Sequence, residues 1–422
     1  PARIKKKIRY LGSDALKTFR SCKLSILLFL LFFCSSVCGT AAFAAPAQEL
    51  DTTAPSASFE QGRAFKSGAI KVIDLHGTWH EMGRQYGHFM SGELREIWSA
   101  KLQPFMAEHP DKSILMKKMA QKNAQAAPYK YREIIQGMAE TSGLPLSQLE
   151  LVDMVERVAG ITQCSALAVW GDYAKGTLIY GRNYDFYPSF SVLFNDIVVS
   201  VYHPADGSLA VATIGYAGEI YAVNALNESG IFVELNNGSP SSNGKRASNR
   251  LHATTSLFSV MEDADSLTYL DSFFATTNTN AAYLIGAADA KSARSYEWDI
   301  SGTQRGDSTT PPGVMVMTNH FVAPEWNRPL PTDEKSWQSL TRRKNLLNLA
   351  EEYKGKIDAS CMMELIERDI ASGSSKSELT RYELTIQPEN RLIWLKIPQA
   401  ADWTKINLNH LFTRQQKEKQ AA

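Results

Sequence analysis

The chain has 422 residues, enough for a sizeable core, and its 44% apolar and 21% charged residues are typical of a globular protein. The net charge of +1 is unevenly distributed, because residues 1–44 carry eight basic residues and one acidic residue. The remaining chain has 37 basic and 43 acidic residues, a net charge of −6. Nucleic-acid binding needs a concentrated basic surface, so this composition argues against a nucleic-acid partner.

Residues 1–44 have the order of a secretory signal peptide. A basic stretch ends at Lys23, the apolar run Leu24–Phe33 follows, and small residues lead to Ala42-Phe43-Ala44. The apolar run is shorter than the roughly 20 residues of a transmembrane helix, which favours cleavage after Ala44 over a retained anchor. We therefore expect an exported protein, periplasmic or secreted, that meets a membrane only if this segment is retained.

Beyond the leader, the sequence changes character twice. Residues 45–69 are small and polar and predict a linker, and residues 70–163 place apolar positions mostly at helical spacing. From residue 164 to residue 412, short β-type runs alternate with helical stretches, and residues 413–422 form a polar tail. Helices followed by an antiparallel block, without a regular β-α alternation, predict an α+β sandwich.

Cys164 opens the strand-like run CSALAVWG, and the partner run ends in GRNYDF. If the backbone is cut after Gln163, the new α-amine of Cys164 has a pKa near about 7.7–8.0 and can act as base for its own thiol. An acid such as Asp185 would orient that ammonium group, and Arg182 would favour the thiolate. The competing interpretation of Cys164 is a small buried hydrophobic residue at the start of a strand.

Five segments occur in an order that resembles one known family. They are HGTWHEMGRQYGHFM, CSALAVWG with GRNYDF, NALNESGIFVELNNG, VMTNHF and SLTR. Together they resemble the cysteine branch of the N-terminal nucleophile (Ntn) hydrolases, specifically the acyl-coenzyme A:6-aminopenicillanic-acid acyltransferase-like group. Choloylglycine hydrolases, penicillin V acylases and acid ceramidase are more distant relatives. The match, from about Gly77 to about Arg342, implies a four-layer αββα sandwich with a mostly helical N-terminal segment.

The resemblance also implies a precursor that cuts itself. Residues 70–163 would form its α chain, and residues 164–412 would form the catalytic β chain. Cys164 would be the nucleophile, exposed by autocatalytic cleavage after Gln163. Asp185 would hold the new α-amine, and Arg182 would lie beside the thiol.

Two further positions follow from the same resemblance. Asn319 would offer its side-chain N–H to the oxyanion of the substrate. A backbone N–H at Asn237 or Asn236 would be the second donor. Arg342 or the adjacent Arg343 would match the late arginine of the family, near the nucleophile.

The implied function is an exported hydrolase or acyltransferase that acts on linear amides of small N-acyl compounds through an acyl-enzyme, without a cofactor or metal. Two alternatives stay open. One is a papain-like protease that pairs Cys164 with His320, and the other is a non-catalytic, membrane-tethered binding protein of the same fold. His76 and His80 are four residues apart, but Gly77 places the first before the helix, which argues against a zinc site.

Overall fold

The computed structural model describes residues 47–155, 163–187, 197–242 and 244–413. All of them belong to one compact unit, residues 46–422. Two β-sheets form its centre. Across these ranges, no helix is both long and apolar enough to cross a membrane.

The first sheet, sheet A, carries the cysteine-bearing strand. Its order across the sheet is β1 (Gln48–Glu49), β17 (Ala401–Asn407), β16 (Leu392–Ile397), β15 (Thr380–Gln387), β6 (Ile179–Asp185), β5 (Cys164–Val169) and β14 (Val314–Met317). Neighbours are antiparallel except for the short β1–β17 pair. Strand β5 therefore lies inside the sheet, with a hydrogen-bonded partner on each side.

The second sheet, sheet B, is longer and also largely antiparallel. Its order is β13 (Gly302–Arg305), β12 (Ala293–Asp299), β11 (Tyr283–Ala288), β10 (Phe232–Asn237), β9 (Asn224–Asn227), β8 (Val211–Tyr216), β7 (Ile197–Pro204), β4 (Ile70–Gly77), β3 (Gly62–Ser67) and β2 (Ala57–Phe59). The exception is the parallel pair β4–β7. Strand β4 buries Ile70, Val72, Ile73 and Leu75, but Lys71 and the buried Asp74 interrupt the continuous apolar run that is typical of parallel strands buried on both faces.

Helices cover the outer faces of both sheets. The described α-helices are α1 (Trp79–Phe89), α2 (Ser91–Ile97), α3 (Gln103–Glu108), α4 (Pro110–Ala126), α5 (Tyr129–Ser142), α6 (Leu146–Asp153), α7 (Ala253–Met261), α8 (Leu267–Thr276), α9 (Ser339–Glu352) and α10 (Ala359–Glu367). Helices α9 and α10 pack on sheet A, whereas α1, α7 and α8 pack on sheet B. The predicted α+β class and the four-layer αββα arrangement are confirmed.

Helix α1 begins at a capping box, in which Thr78 and Glu81 satisfy each other's backbone amides. It then packs closely on α5. A Cβ atom at Gly83 would lie 2.1 Å from the carbonyl oxygen of Ile134, so only glycine fits this contact. Close packing of the two helices offsets the cost of a glycine inside a helix.

Two stretches differ from the sequence-based expectation. The expected linker, 45–69, contains strands β1, β2 and β3, and the expected helical segment, 70–163, begins with strand β4. Strand β4 pairs with β7, which lies far along the chain, and local periodicity does not reveal such a partner. The expected signal peptide and most of the polar tail lie outside the described residues.

The interior has two apolar cores, and β5 contributes to both. Cys164, Ala166 and Ala168 face the core between the two sheets. Leu167 and Val169 face the core beneath α9 and α10. Because successive side chains of a strand point to opposite faces, this alternation directs the Cys164 thiol toward sheet B.

Candidate active site

The β5–β6 hairpin brings Arg182 next to Cys164. Cys164 pairs with Tyr184, and Ala166 pairs with Arg182, so the cysteine and the arginine are diagonal neighbours on one face. A long side chain spans this diagonal, and the Arg182 Nη2 atom lies 3.4 Å from the Cys164 Sγ atom. Both side chains are buried.

Burial raises the pKa of the Cys164 thiol to about 11, and the guanidinium of Arg182 opposes that rise. The nearby carboxylates of Asp185 and Glu234 raise the pKa further. In the uncut chain the thiol is therefore protonated at neutral pH. A base beside the sulfur, such as a freed α-amine, would change this state.

Asp185 ends strand β6 directly beside the bond that precedes Cys164. Its backbone N–H donates to the carbonyl oxygen of Gln163 over 2.8 Å. Its carboxylate accepts hydrogen bonds from the hydroxyls of Thr380, at 2.6 Å, and Ser377, at 3.2 Å. Burial raises the pKa of Asp185 to about 6, although Arg342 and the two hydroxyls oppose this rise.

Asn319 and Arg342 hold the backbone of Cys164 from the other side. The Cys164 N–H donates to Asn319 Oδ1 over 3.0 Å, and Arg342 Nη1 donates to the Cys164 carbonyl oxygen over 2.7 Å. Arg342 Nη2 also donates to Asn319 Oδ1, at 2.8 Å. Arg342 thus belongs to the cluster, whereas the adjacent Arg343 donates to Thr309.

The amide nitrogen of Asn319 donates to the backbone carbonyl of Asn237 over 2.9 Å. The side-chain amide carries two N–H donors. The side-chain nitrogen of Asn236 instead donates a hydrogen bond to the carbonyl oxygen of Thr318. Of the two adjacent asparagines, Asn237 is the one in contact with Asn319.

The structure therefore brings six sequence-predicted site residues into one connected group, the nucleophile cluster. Its members are Cys164, Arg182, Asp185, Asn237, Asn319 and Arg342.

Four supporting residues had no assigned role from sequence reasoning. Ser377 and Thr380 bind Asp185, Glu234 binds Arg182, and the Ser339 hydroxyl accepts the backbone N–H of Asn319 over 2.7 Å. Ser339 is the serine of the SLTR motif, so the sequence carried a signal for it. Glu234 lies in the segment NALNESGIFVELNNG, which also carried a signal, whereas Ser377 and Thr380 are ordinary residues of a loop and a strand that nothing local distinguishes.

His320 is turned toward Ser339. Its ring Nδ1 atom lies 2.7 Å from the Ser339 hydroxyl and 3.4 Å from that of Thr318. Burial, together with Arg343 and Arg342, lowers the pKa of His320 to about 4. The neutral ring is thus engaged with two hydroxyls, which does not favour a Cys–His dyad.

His76 and His80 lie in separate surroundings. His80 contacts Glu133 and Glu140, whereas His76 stacks on His203 with ring centroids 4.3 Å apart.

Asp74 bridges His76 and His203, and we call these three residues, with Arg63, the histidine cluster. The ligand atoms of the first three lie close enough together for a metal ion. However, Arg63 already pairs with the Asp74 carboxylate, and the two rings are parallel to within 1°. Parallel rings do not direct their nitrogen lone pairs at one point, so the group fits a buried ion-pair network better than a metal site.

A cleft of about 1150 Å³ opens beside the Gln163–Cys164 bond. Gln163, Trp337, Thr380 and Arg381 are among its lining residues. Its walls are mixed polar and apolar, and it reaches the Asp185 side of the cluster through Thr380. The cleft therefore borders Gln163, the residue before Cys164, whereas the Cys164 thiol itself is fully buried.

No protein-family profile matches the sequence, and no curated protein matches it either. Among solved structures, the chain is similar to an N-acylethanolamine-hydrolyzing acid amidase ortholog from Caenorhabditis elegans, with 15% identity, a TM-score of 0.39, and 56% of this chain and 95% of that chain covered. It is also similar to a C2A mutant of conjugated bile acid hydrolase from Clostridium perfringens, with 12% identity, a TM-score of 0.41, and 59% of this chain and 94% of that chain covered. For penicillin V acylase from Agrobacterium tumefaciens, the identity is 11%, the TM-score is 0.41, and 58% of this chain and 86% of that chain are covered.

Proposed function

We propose that this protein is a cysteine Ntn hydrolase that cuts its own Gln163–Cys164 bond and then hydrolyses linear amides. The observation that carries the proposal is the set of contacts that other side chains make with Cys164. Its sulfur contacts Arg182, its N–H is bound by Asn319, and its carbonyl oxygen is bound by Arg342. Any buried backbone N–H and carbonyl need partners, but a structural cysteine does not need a buried guanidinium at its sulfur, and that guanidinium has a desolvation cost.

Self-cleavage would proceed as an N-to-S acyl shift. The Cys164 sulfur adds to the Gln163 carbonyl carbon, the C–N bond breaks, and the thiol proton passes to the departing nitrogen. Water then hydrolyses the thioester, which leaves a carboxylate on Gln163 and a free α-amine on Cys164. Asp185 is the buried carboxylate beside that new amine.

The same parts would then act on a substrate amide. The α-amine takes the thiol proton, the sulfur attacks the acyl carbonyl, and the amine proton passes to the leaving nitrogen. The side-chain amide N–H of Asn319 and a backbone N–H at Asn237 would stabilise the oxyanion. Water resolves the acyl-enzyme, or another amine accepts the acyl group. Because Cys164 is buried, we propose a small N-acyl compound rather than a protein as substrate.

Intact-mass measurement tests the self-cleavage. Wild-type protein should yield a fragment spanning residues 164–422, and Cys164→Ala should remain uncut and inactive toward N-acyl amides. Cys361→Ala is the matched control, because Cys361 is the other free cysteine of the described chain and lies on α10. It should be cut and active. Full activity in Cys164→Ala would contradict the nucleophile assignment, and an uncut, inactive wild type would favour a binding protein.

Export is a separate part of the proposal, carried by residues 1–44 alone. A signal peptide predicts that the mature protein starts after Ala44 and is found outside the cytoplasm. N-terminal sequencing of the exported fraction tests this. An intact leader in a membrane fraction would instead indicate a retained anchor.

A further inference from the structure

Arg182 extends from one sheet to the other. It belongs to β6 in sheet A, but its guanidinium contacts lie on sheet B. Nη2 donates to the carbonyl oxygen of Leu235 over 2.8 Å, and Nη1 lies 2.6 Å from Glu234 Oε2. The same Nη2 atom faces the sulfur of Cys164. Sheet B therefore sets the direction in which the arginine points at the nucleophile.

Glu234 is enclosed by neighbours that leave its carboxylate little freedom. It is fully buried on β10, opposite Gly286 on β11. A Cβ atom at Gly286 would lie 2.0 Å from the Tyr180 hydroxyl and 3.1 Å from Glu234 Cγ, so the missing side chain makes room for both groups. The Tyr180 hydroxyl and Arg182 favour the charged form of Glu234 against its burial.

A carboxylate at this position has an electrostatic drawback for a thiolate. Arg182 favours the charged sulfur of Cys164, whereas Glu234 opposes it. A buried ion pair is also weak evidence of stability, since desolvation cancels much of its attraction. The Glu234 carboxylate therefore lowers the reactivity of the Cys164 thiol, unless it compensates by holding Arg182 in place.

We infer that Glu234 is a positioning residue, which grips Nη1 of Arg182 so that Nη2 stays against the sulfur of Cys164. This inference rests on the proposed function, in which that sulfur is the nucleophile. The two roles open to Glu234 have opposite consequences for the thiol. A carboxylate that only neutralises Arg182 makes the thiol less acidic, whereas one that positions Arg182 makes it more acidic.

The test measures the rate of iodoacetamide alkylation at Cys164 against pH, followed by mass spectrometry of the Cys164 peptide. Cut and uncut chains give different peptides, so each variant is compared with wild type in the same processing state. Two variants are used. Glu234→Gln removes the charge and keeps the length, and Glu234→Asp keeps the charge and shortens the reach. Melting temperature reports whether each variant is folded.

Positioning predicts that both variants raise the thiol pKa by at least about one unit, which slows alkylation at pH 8 about tenfold. It also predicts a lower kcat at unchanged KM. A thiol pKa that falls in Glu234→Gln, or stays unchanged in Glu234→Asp, overturns the inference. If Glu234→Gln does not fold, Glu234→Asp alone distinguishes the two roles. A carboxylate that only neutralises the charge of Arg182 would leave the thiol pKa unchanged in Glu234→Asp, because the charge is kept.

Glu262→Gln is the matched control. Glu262 is also buried, and it has the same kinds of neighbour, the Lys130 ammonium and the Tyr131 hydroxyl. It should lose stability without altering alkylation of Cys164. If the wild type is uncut and inactive, the proposed function fails, yet the comparison of alkylation rates still reports on the Arg182 contact.

Discussion

The nucleophile cluster and the histidine cluster are both buried polar groups, but they manage charge differently. In the histidine cluster, the Asp74 carboxylate contacts a guanidinium and two imidazoles. In the nucleophile cluster, Arg182 also pairs with a carboxylate, that of Glu234, but Asp185 and Arg342 are fully buried, and within the described chain neither of these two lies at ion-pair distance from an opposite charge. Hydroxyls, carbonyls and an amide satisfy them instead.

On the proposed function, this difference separates a structural network from a site prepared for chemistry. A directly paired charge is committed to its partner. A charge held by neutral dipoles remains available for a group that appears later, such as an ammonium formed by cleavage. The shifts in pKa agree, since the histidines hold the pKa of Asp74 well below its ordinary value against its burial, whereas burial raises that of Asp185 to about 6.

The largest expected effect comes from exchanging each acid for its amide. Asp185→Asn should lower kcat/KM by roughly 10⁴-fold, as does loss of a carboxylate that orients a catalytic base. Asp74→Asn should leave the activity of the folded protein within about twofold, although it unpairs Arg63. Steady-state kinetics on an N-acyl amide, with melting temperatures as the folding check, measures both. Similar losses in the two variants would erase the distinction between the clusters.

Asn319→Ala removes the proposed oxyanion donor and the acceptor of the Cys164 N–H. Loss of one oxyanion donor costs on the order of 10²–10³ in kcat, so a decrease of that size is expected. Asn236→Ala is the control, because its side chain bonds Thr318 rather than Asn319. An equal decrease in both variants would mean that the loss does not come from an oxyanion donor specific to Asn319.

The contributions of Asp185 and Asp74 to the stability of the uncut Cys164→Ala chain should also change with pH in opposite directions. The pKa of Asp185 is raised from 3.8 to about 6, so its contribution to stability is full below pH 3.8 and falls as pH rises to 6, by about 3 kcal/mol at most. Asp74 has a lowered pKa, so its contribution is present above pH 3.8 and is lost on acidification.

In that background, Asp185→Asn should therefore raise the melting temperature above pH 6 and change little below pH 4. Asp74→Asn should lower it near neutral pH, with a difference that shrinks as the pH falls. Thermal unfolding across pH 3–8 measures both curves. Parallel curves would mean that the two carboxylates sit in equivalent surroundings.

The sequence predicted the part of the site that is local or carried by a motif. Cys164, Arg182 and Asp185 lie on one hairpin, where strand alternation relates their positions directly. The hydrogen-bond donors around these residues come from distant segments of the chain. Thr380, for example, lies on β15, and the pairing of β15 with β6 exists only in the folded sheet and cannot be seen in the local sequence. Strand β4 was missed for the same reason, since its partner β7 is non-local.

Thr380→Val tests one of those unforeseen donors at nearly constant volume. Loss of its 2.6 Å hydrogen bond leaves the Asp185 carboxylate less stabilised, so its pKa should rise further. A hydrogen bond of about 1 kcal/mol corresponds to a roughly fivefold lower kcat/KM at neutral pH. Thr385→Val is the control on the same strand, since that buried hydroxyl has no hydrogen-bond partner in the described structure. It should leave kcat/KM unchanged.

The smallest expected effect belongs to His320, the residue that a papain-like mechanism would make essential. Its ring is neutral near pH 7, because burial lowers its pKa to about 4, and its Nδ1 atom is engaged by Ser339. Ser339 also accepts the backbone N–H of Asn319, so this serine links the His320 ring to the nucleophile cluster by hydrogen bonds. His320→Asn keeps a polar partner for the hydroxyl and should lower kcat/KM by less than about threefold, without altering chain cleavage. A loss as large as that of Cys164→Ala, with normal cleavage and loss of an inflection in the pH–rate profile, would replace the α-amine by histidine as the base. The catalytic groups would then be a dyad of the Cys164 and His320 side chains, and the buried charges of Asp185 and Arg342 would need another explanation.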